Sequence, residues 1–262
     1  MLGLGLGSQP TTECGIFGSN YAVEFDGIDG AIRLPQEFLD SWNVGTGSGA
    51  AATAFSMSMW VNVRDNDGEN SQNIIAIKND SSNNGFQMVF HRTHLEFRAV
   101  AKVKGVYKEA AYKEAGYSLE QYIAQGWIHL TMTFNHNGST SSGDGEIKIY
   151  KNGVLKETVA QDTDWGEPSF DGAYIGANEN GDGGFADGYV DQLAIFDTTL
   201  SSEDVTTIYN SGVMMDLSTI QPGYSPRSLV AYYQFENNTL DSGVSDYHGV
   251  RQGGVTFTTS QP

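Results

Sequence analysis

Residues 55–63 read Phe-Ser-Met-Ser-Met-Trp-Val-Asn-Val, an unbroken two-residue alternation. Phe55, Met57, Met59, Val61 and Val63 fall on one side, with Ser56, Ser58, Trp60 and Asn62 opposite. A helix, which repeats every ~3.6 residues, cannot gather such a set on one face, whereas a pleated strand does so by geometry. The segment is therefore expected to be a half-buried strand, and a strand needs neighbours. Candidates recur along the chain: Tyr21–Phe25 and Ala31–Leu34 around an Asp26-Gly-Ile-Asp29-Gly30 turn, then Asn73–Lys78, Gly85–Phe90, Leu95–Val100, Trp127–Phe134, Ala173–Gly176, Gly188–Phe196, Leu229–Phe235 and Gly254–Thr258. Glu146–Tyr150 and Val154–Thr158 flank Lys151-Asn152-Gly153, and Asn-Gly is the dipeptide that suits the tightest hairpin turn. Helix is expected at Ser201–Tyr209, where Ser201 stands as N-cap with an acid three residues on and Gly212 beyond the end. Residues 102–125, rich in Ala, Lys, Glu and Tyr, read as an excursion over the sheet with local helix around Lys108–Ala115.

Short strands separated by turns, 32 Gly against 6 Pro, and 39% hydrophobic residues indicate an all-β, two-sheet antiparallel sandwich with a packed core. Charge narrows the partners. Fourteen Lys and Arg against 32 Asp and Glu leave a net charge of −18. Polyanions such as nucleic acid are poor ligands for such a surface, and anionic membranes are disfavoured for the same reason. No apolar run reaches the roughly 18 residues of a spanning helix, so membrane insertion is not expected. Cys14 stands alone and cannot form a disulfide within the chain. The opening Met-Leu-Gly-Leu-Gly-Leu-Gly-Ser has no basic residue before its apolar ones and does not read as a secretory signal. Residues 1–20 are expected to be a flexible or partner-docking arm.

Several segments resemble laminin-G-like domains: Tyr21–Asp29, Phe55–Val63, Gly126–Phe134, the Ile147–Val154 hairpin, and Gly188–Tyr209 with its strand-then-helix order. The resemblance spans residues 21–212 and implies a concanavalin A-like jelly roll. Bacteriophage structural proteins carry domains of this kind, and the two termini of this chain resemble theirs in style. One segment is out of order. Leu229–Glu236, Leu240-Asp-Ser-Gly243 and His248-Gly249 resemble the stretch that normally precedes the first strand. After a linker at residues 213–228, residues 229–262 are expected either to complete the same sandwich or to pair with a neighbouring copy.

The resemblance also implies a structural calcium ion, for which Asp26, Asp29 and Asp191 are the candidate ligands; the competing reading is that these are ordinary turn residues. The glucanases of this fold carry a Glu-x-Asp-x-x-Glu strand, and no such spacing occurs. No nucleophile elbow or phosphate loop appears either. The expectation is a protein without catalytic residues. For glycan binding, aromatics in or beside loops are the natural platforms, with Trp42, Trp165 and Tyr174 foremost and Tyr107, Tyr112 and Tyr117 beside them. Two functions remain open. One is a bacteriophage virion protein, displayed on capsid or tail and contacting other virion proteins or copies of itself. The other is an extracellular, calcium-dependent carbohydrate-binding module facing a cell-surface glycan; a glycosidase ranks below both.

Overall fold

A computed structural model describes residues 19–43, 54–79, 84–103, 106–135, 145–160, 170–220 and 223–262. Cys14, Trp165, most of the expected N-terminal arm and the side chain of Trp42 lie outside the described residues.

Two antiparallel sheets face each other. The first is built from β1 (Ala22–Asp26), β3 (Ala54–Val63), β8 (Ile128–Asn135), β9 (Glu146–Lys151), β10 (Val154–Ala160), β12 (Asp187–Phe196), β13 (Leu229–Tyr233) and β15 (Thr256–Thr258). Its order is β10-β9-β8-β3-β12-β1-β15, with β13 also paired to β12. The second contains β2 (Ala31–Arg33), β4 (Ser71–Asn79), β5 (Asn84–His91), β6 (Glu96–Val103), β7 (Val106–Tyr112), β11 (Gly172–Ile175) and β14 (Val250–Gln252), in the order β14-β2-β11-β4-β5-β6-β7. Three short helices join them: α1 (Gln36–Asn43), α2 (Leu119–Ile123) and α3 (Ser202–Tyr209).

The alternation of β3 sets the core. Phe55, Met57, Met59 and Val61 point between the sheets and are buried, as are Leu130, Met132 and Phe134 from β8 and Ile77, Phe86, Met88 and Phe90 from the facing sheet. Phe86 fastens the two layers, with its ring centroid 4.1 Å from Phe55 and 5.0 Å from Phe134. Burying each such side chain contributes roughly 1.5–3 kcal/mol.

The other side of β3 departs from expectation. Ser56, Ser58 and Trp60 are buried too. A second apolar cluster lies over them, made by Tyr150, Phe196, Leu200, Val205, Ile208, Leu217, Tyr224, Leu229 and Tyr232. It exists because α3 and the segment after it fold across the sheet. The helix starts with a reciprocal cap, Ser201 N donating to Asp204 Oδ2 at 2.8 Å and Asp204 N donating to Ser201 Oγ at 3.1 Å. Its last residue, Tyr209, packs on the hairpin turn, where Asn152 and Gly153 have φ of 50° and 74°. A Cβ on Gly153 would lie 2.9 Å from the Tyr209 ring, so this glycine answers to both turn and packing.

The C-terminal strands pair within the chain. β15 lies against β1, β14 against β2, and β13 against β12. The Leu240–Gly243 loop is organised by the buried Asp241, whose carboxylate accepts from the backbone N–H of Tyr232 (2.7 Å), Gly243 (2.8 Å) and Tyr247 (3.0 Å).

One expected helix is corrected. Lys108–Tyr112 is not helical but forms most of β7, the edge strand paired to β6 throughout its length. Ala110 at its centre packs into the core at zero exposure, and that tertiary contact overrides a helix propensity of only a few tenths of a kcal/mol per residue. Helix is confined to α2, where Ser118 and Gln121 form a capping box.

Candidate functional site

The outer face of the seven-stranded sheet carries a cleft of about 170 Å³. The register builds it. Lys78, Gly85, Lys102 and Tyr107 stand side by side across β4, β5, β6 and β7, and Gln87, Val100 and Glu109 form the next row. Residues two apart on a strand share a face, so the two rows make one continuous surface.

Gly85 makes the floor. A Cβ there would sit 2.9 Å from the carbonyl oxygen of Ile77, and its absence opens a gap between the two lysines. Glu179, from the loop after β11, closes one wall. It accepts Lys78 Nζ at 2.8 Å and Gln87 Nε2 at 3.0 Å. Tyr107 closes the other wall with a ring that is 50% exposed. Its hydroxyl donates to Glu109 Oε2 at 2.9 Å, and Arg98 holds the same carboxylate at 3.2 Å. Partial burial together with Glu109 pushes the Tyr107 phenol up to about 12, so the phenol is a neutral donor with a fixed ring. The result is an aromatic wall, a glycine floor and a polar rim whose geometry is set by ion pairs.

Of the expected aromatics, Tyr174 lies on this same sheet face, paired to Ala76 and Arg33, and it packs against Gly181. Tyr107 belongs to the cleft itself. Tyr112 lies beneath Lys156, whose ammonium is 4.9 Å from the ring centre, and Tyr117 packs edge-on against Tyr122. Lys78, Gly85, Gln87, Lys102 and Glu179 escaped the sequence reading. Only the Lys-x-x-x-x-x-x-Gly-x-Gln spacing hinted at the first three, and it has meaning only once the β4–β5 register is known.

The three carboxylates expected to hold calcium are not brought together. Asp26 pairs with Asp187, and Asp191 lies four residues further along β12, about 13 Å away at ~3.3 Å per residue. Asp26 Oδ1 already accepts from the backbone N–H of Ile28 (2.9 Å), Asp29 (3.2 Å) and Gly30 (3.0 Å). Burial opposes that charge, but the three donors outweigh it and lower the Asp26 pKa. Asp29 Oδ1 accepts from Gly254 N at 2.7 Å and so pins the C-terminal strands to the β1–β2 turn. Both of these Oδ1 atoms are thus engaged by backbone N–H donors. Asp191 is fully buried, with Oδ2 unpartnered. Burial drives its pKa well up, the Glu236 charge adds to the rise, and hydrogen bonds from Ser19 and Gln192 oppose it. Among the described residues, no three His, Cys, Asp or Glu are grouped to hold a metal ion. No described helix is long and apolar enough to cross a membrane.

None of the curated proteins compared with the chain matches it. A solved structure of a candidate carbohydrate-binding protein from Bacteroides ovatus superposes with a TM-score of 0.58 at 13% identity; the match covers 92% of this chain and 60% of that one. A heptameric SAP-like pentraxin from Limulus polyphemus gives 0.52 at 15% identity, covering 91% of this chain and 94% of that one. The receptor-binding domain of a botulinum neurotoxin C/D mosaic serotype gives 0.50 at 20% identity, covering 73% and 42%. At these identities the likeness establishes the fold. The sequence profile of the concanavalin A-like lectin/glucanases superfamily matches residues 38–206, well over half the chain. Together with the facing antiparallel sheets, that match places this chain in the concanavalin A-like lectin/glucanases superfamily.

Proposed function

We propose that the chain is a non-catalytic glycan-binding domain that engages saccharides on the outer face of its seven-stranded sheet. The observation that carries this reading is the cleft, which Tyr107 lines together with Gly85, Lys78, Gln87 and Glu179. A pyranose presents an apolar C–H face and a ring of hydroxyls, and it is held by an aromatic plane with fixed donors and acceptors around it. The volume suits one sugar ring, with the rest of an oligosaccharide lying along the uncovered sheet. A binding role is further supported by the carboxylates. Glu179 and Glu109 are each engaged by a cation, whereas glycoside hydrolysis needs a carboxyl poised to deliver a proton. The likeness to a candidate carbohydrate-binding protein agrees with this reading.

Glycan-array binding, with and without added calcium, followed by titration calorimetry on the strongest hit, tests it. Tyr107→Ala should weaken that hit about tenfold or more, the equivalent of ~1.4 kcal/mol, without changing the fold. A flat array under both conditions would refute the proposal. Display on a virion is compatible with the same face. The supporting observation is the net charge of −18, which keeps crowded copies apart and soluble. Copurification with an assembled particle is the measurement for it, and a protein that never associates with particles would count against it.

A further inference from the structure

We infer that the cleft selects saccharides bearing an anionic group, and that Lys102 is the residue that reads the charge. The inference rests on the glycan-binding reading and adds a ligand class to it. Two lysines flank the Gly85 floor. Lys78 is neutralised by Glu179, and the second oxygen of Glu179 is taken by Gln87. On the other side, Glu109 is occupied by Arg98 and by the Tyr107 hydroxyl. Lys102 stands between these two closed arrangements, directly beside Tyr107 in the register, and has no carboxylate partner among the described residues. Lys78 and Arg98 each hold carboxylates at this spot, Arg98 pairing with Glu96 as well as Glu109, and Lys102 has none among the described residues, on a chain where acids outnumber bases by 32 to 14.

An ammonium group without a carboxylate partner among the described residues, set beside an aromatic plane, is a ready partner for an oxyanion on a sugar stacked there. A charge-assisted hydrogen bond is about twice as strong as a neutral one. The acidic surface elsewhere does not prevent this. At physiological ionic strength charges more than ~8 Å apart are largely screened, so the local pair decides. Carboxylate (a uronic acid) and sulfate offer the same chemistry to an ammonium, and the assay separates them.

The test is titration calorimetry of the full chain with three oligosaccharides of one backbone: neutral, uronate-bearing and sulfated. The expected result is that one or both anionic forms bind about tenfold tighter than the neutral form at low salt. That advantage should disappear in Lys102→Gln, persist in Lys102→Arg, and shrink towards nothing in about 1 M salt, where the screening length is ~3 Å. The surface position of Lys102 leaves folding intact, checked by an unchanged melting temperature. Equal binding of all three sugars by the parent chain, an anionic preference that survives Lys102→Gln, or equal weakening of neutral and anionic sugars in that variant would each overturn the inference while leaving glycan binding standing. Absence of binding to every saccharide would remove both.

Discussion

The two sheets present their outer faces to very different surroundings. On the eight-stranded sheet, Ser56, Ser58, Trp60, His129, Thr131, Tyr150, Phe196 and Tyr232 all point away from the central core, yet all are buried under α3 and the segment that follows it. On the seven-stranded sheet, Lys78, Gln87, Lys102 and Tyr107 stay open and form a cleft. Each pattern alternates with the pleat, so alternation alone does not tell a covered face from a bare one. The chemistry of the polar residues does. Short hydroxyls can be satisfied by whatever covers them: Ser56 Oγ donates to Thr198 O at 2.8 Å and accepts from Leu200 N at 2.9 Å, and Ser58 Oγ meets His129 Nε2 at 2.9 Å. Long cationic side chains are rarely enclosed in that way. The covered face holds the domain together, and the bare face is free to recognise something.

Perturbing the two faces should therefore read out in different assays. The largest effect is expected from deleting the residues after Tyr224, which strips β13, β14 and β15 from their partners and with them most of the ~5–15 kcal/mol typical of a domain. The truncated chain should show no cooperative melting; a folded truncation with altered assembly would mean the strands belong to a neighbouring copy. Next comes Trp60→Ala. This ring is 6% exposed and packs against His129 and Tyr209, at 5.1 and 5.8 Å between centroids, so chemical denaturation should show a loss of about 3–5 kcal/mol.

His129 ties the covered face to pH. Burial lowers its pKa to about 3 from 6.5, so the folded state keeps it neutral. Below pH 6.5 the unfolded chain takes up a proton that the folded chain refuses, and stability falls as pH drops towards 3, by at most roughly 1.4 kcal/mol per unit. Asp191 acts in the opposite sense. Its raised pKa favours the fold as pH falls through it, so the histidine limb is cleanest in an Asp191→Asn background. There, His129→Gln should remove about one proton from the slope of stability against pH; an unchanged slope would show that the ring is not held neutral. Ser201→Ala should cost about 1 kcal/mol by removing one half of the cap on α3. Smallest of all, Tyr107→Ala on the bare face should shift stability by less than about 0.5 kcal/mol. A large loss there would erase the contrast between the two faces.

Much of this architecture is legible in the residues. Phe55–Val63 as a strand, the Asn152-Gly153 turn and the Ser201 cap each rest on local chemistry that tertiary contacts reinforce, and each is found, although the strand is covered on both faces rather than one. Where local and distant forces compete, reading fails. Lys108–Tyr112 has a helical composition, but β6 offers a free edge and the core takes Ala110. Helix α1, from Gln36, has no capping pattern that stands out; it is fixed by Phe38 and Leu39 sinking into the core. The cleft was the least legible part. Its residues come from β4, β5, β6, β7 and a distant loop, and nothing in the order of the chain announces that Glu179 meets Lys78 and Gln87. Tyr107 and Tyr174 could be nominated because aromatics near loops are few, whereas a lysine is singled out only by which carboxylates its neighbours have claimed. Of the carboxylates nominated for calcium, Asp26 and Asp29 hold backbone N–H groups at a turn, a use that composition does not distinguish from metal binding.

The strands β14 and β15 lie on β2 and β1. Thr256 meets Glu24 across 232 residues, and Gly254 meets Asp29 across 225. β1 and β2 each lack an outer neighbour until strands more than 200 positions later in the chain are available to pair with them. Completion of the sandwich is therefore a late, non-local step with costly loop closure, and the unpaired edges of β1 and β2 are open to misassembly until it occurs.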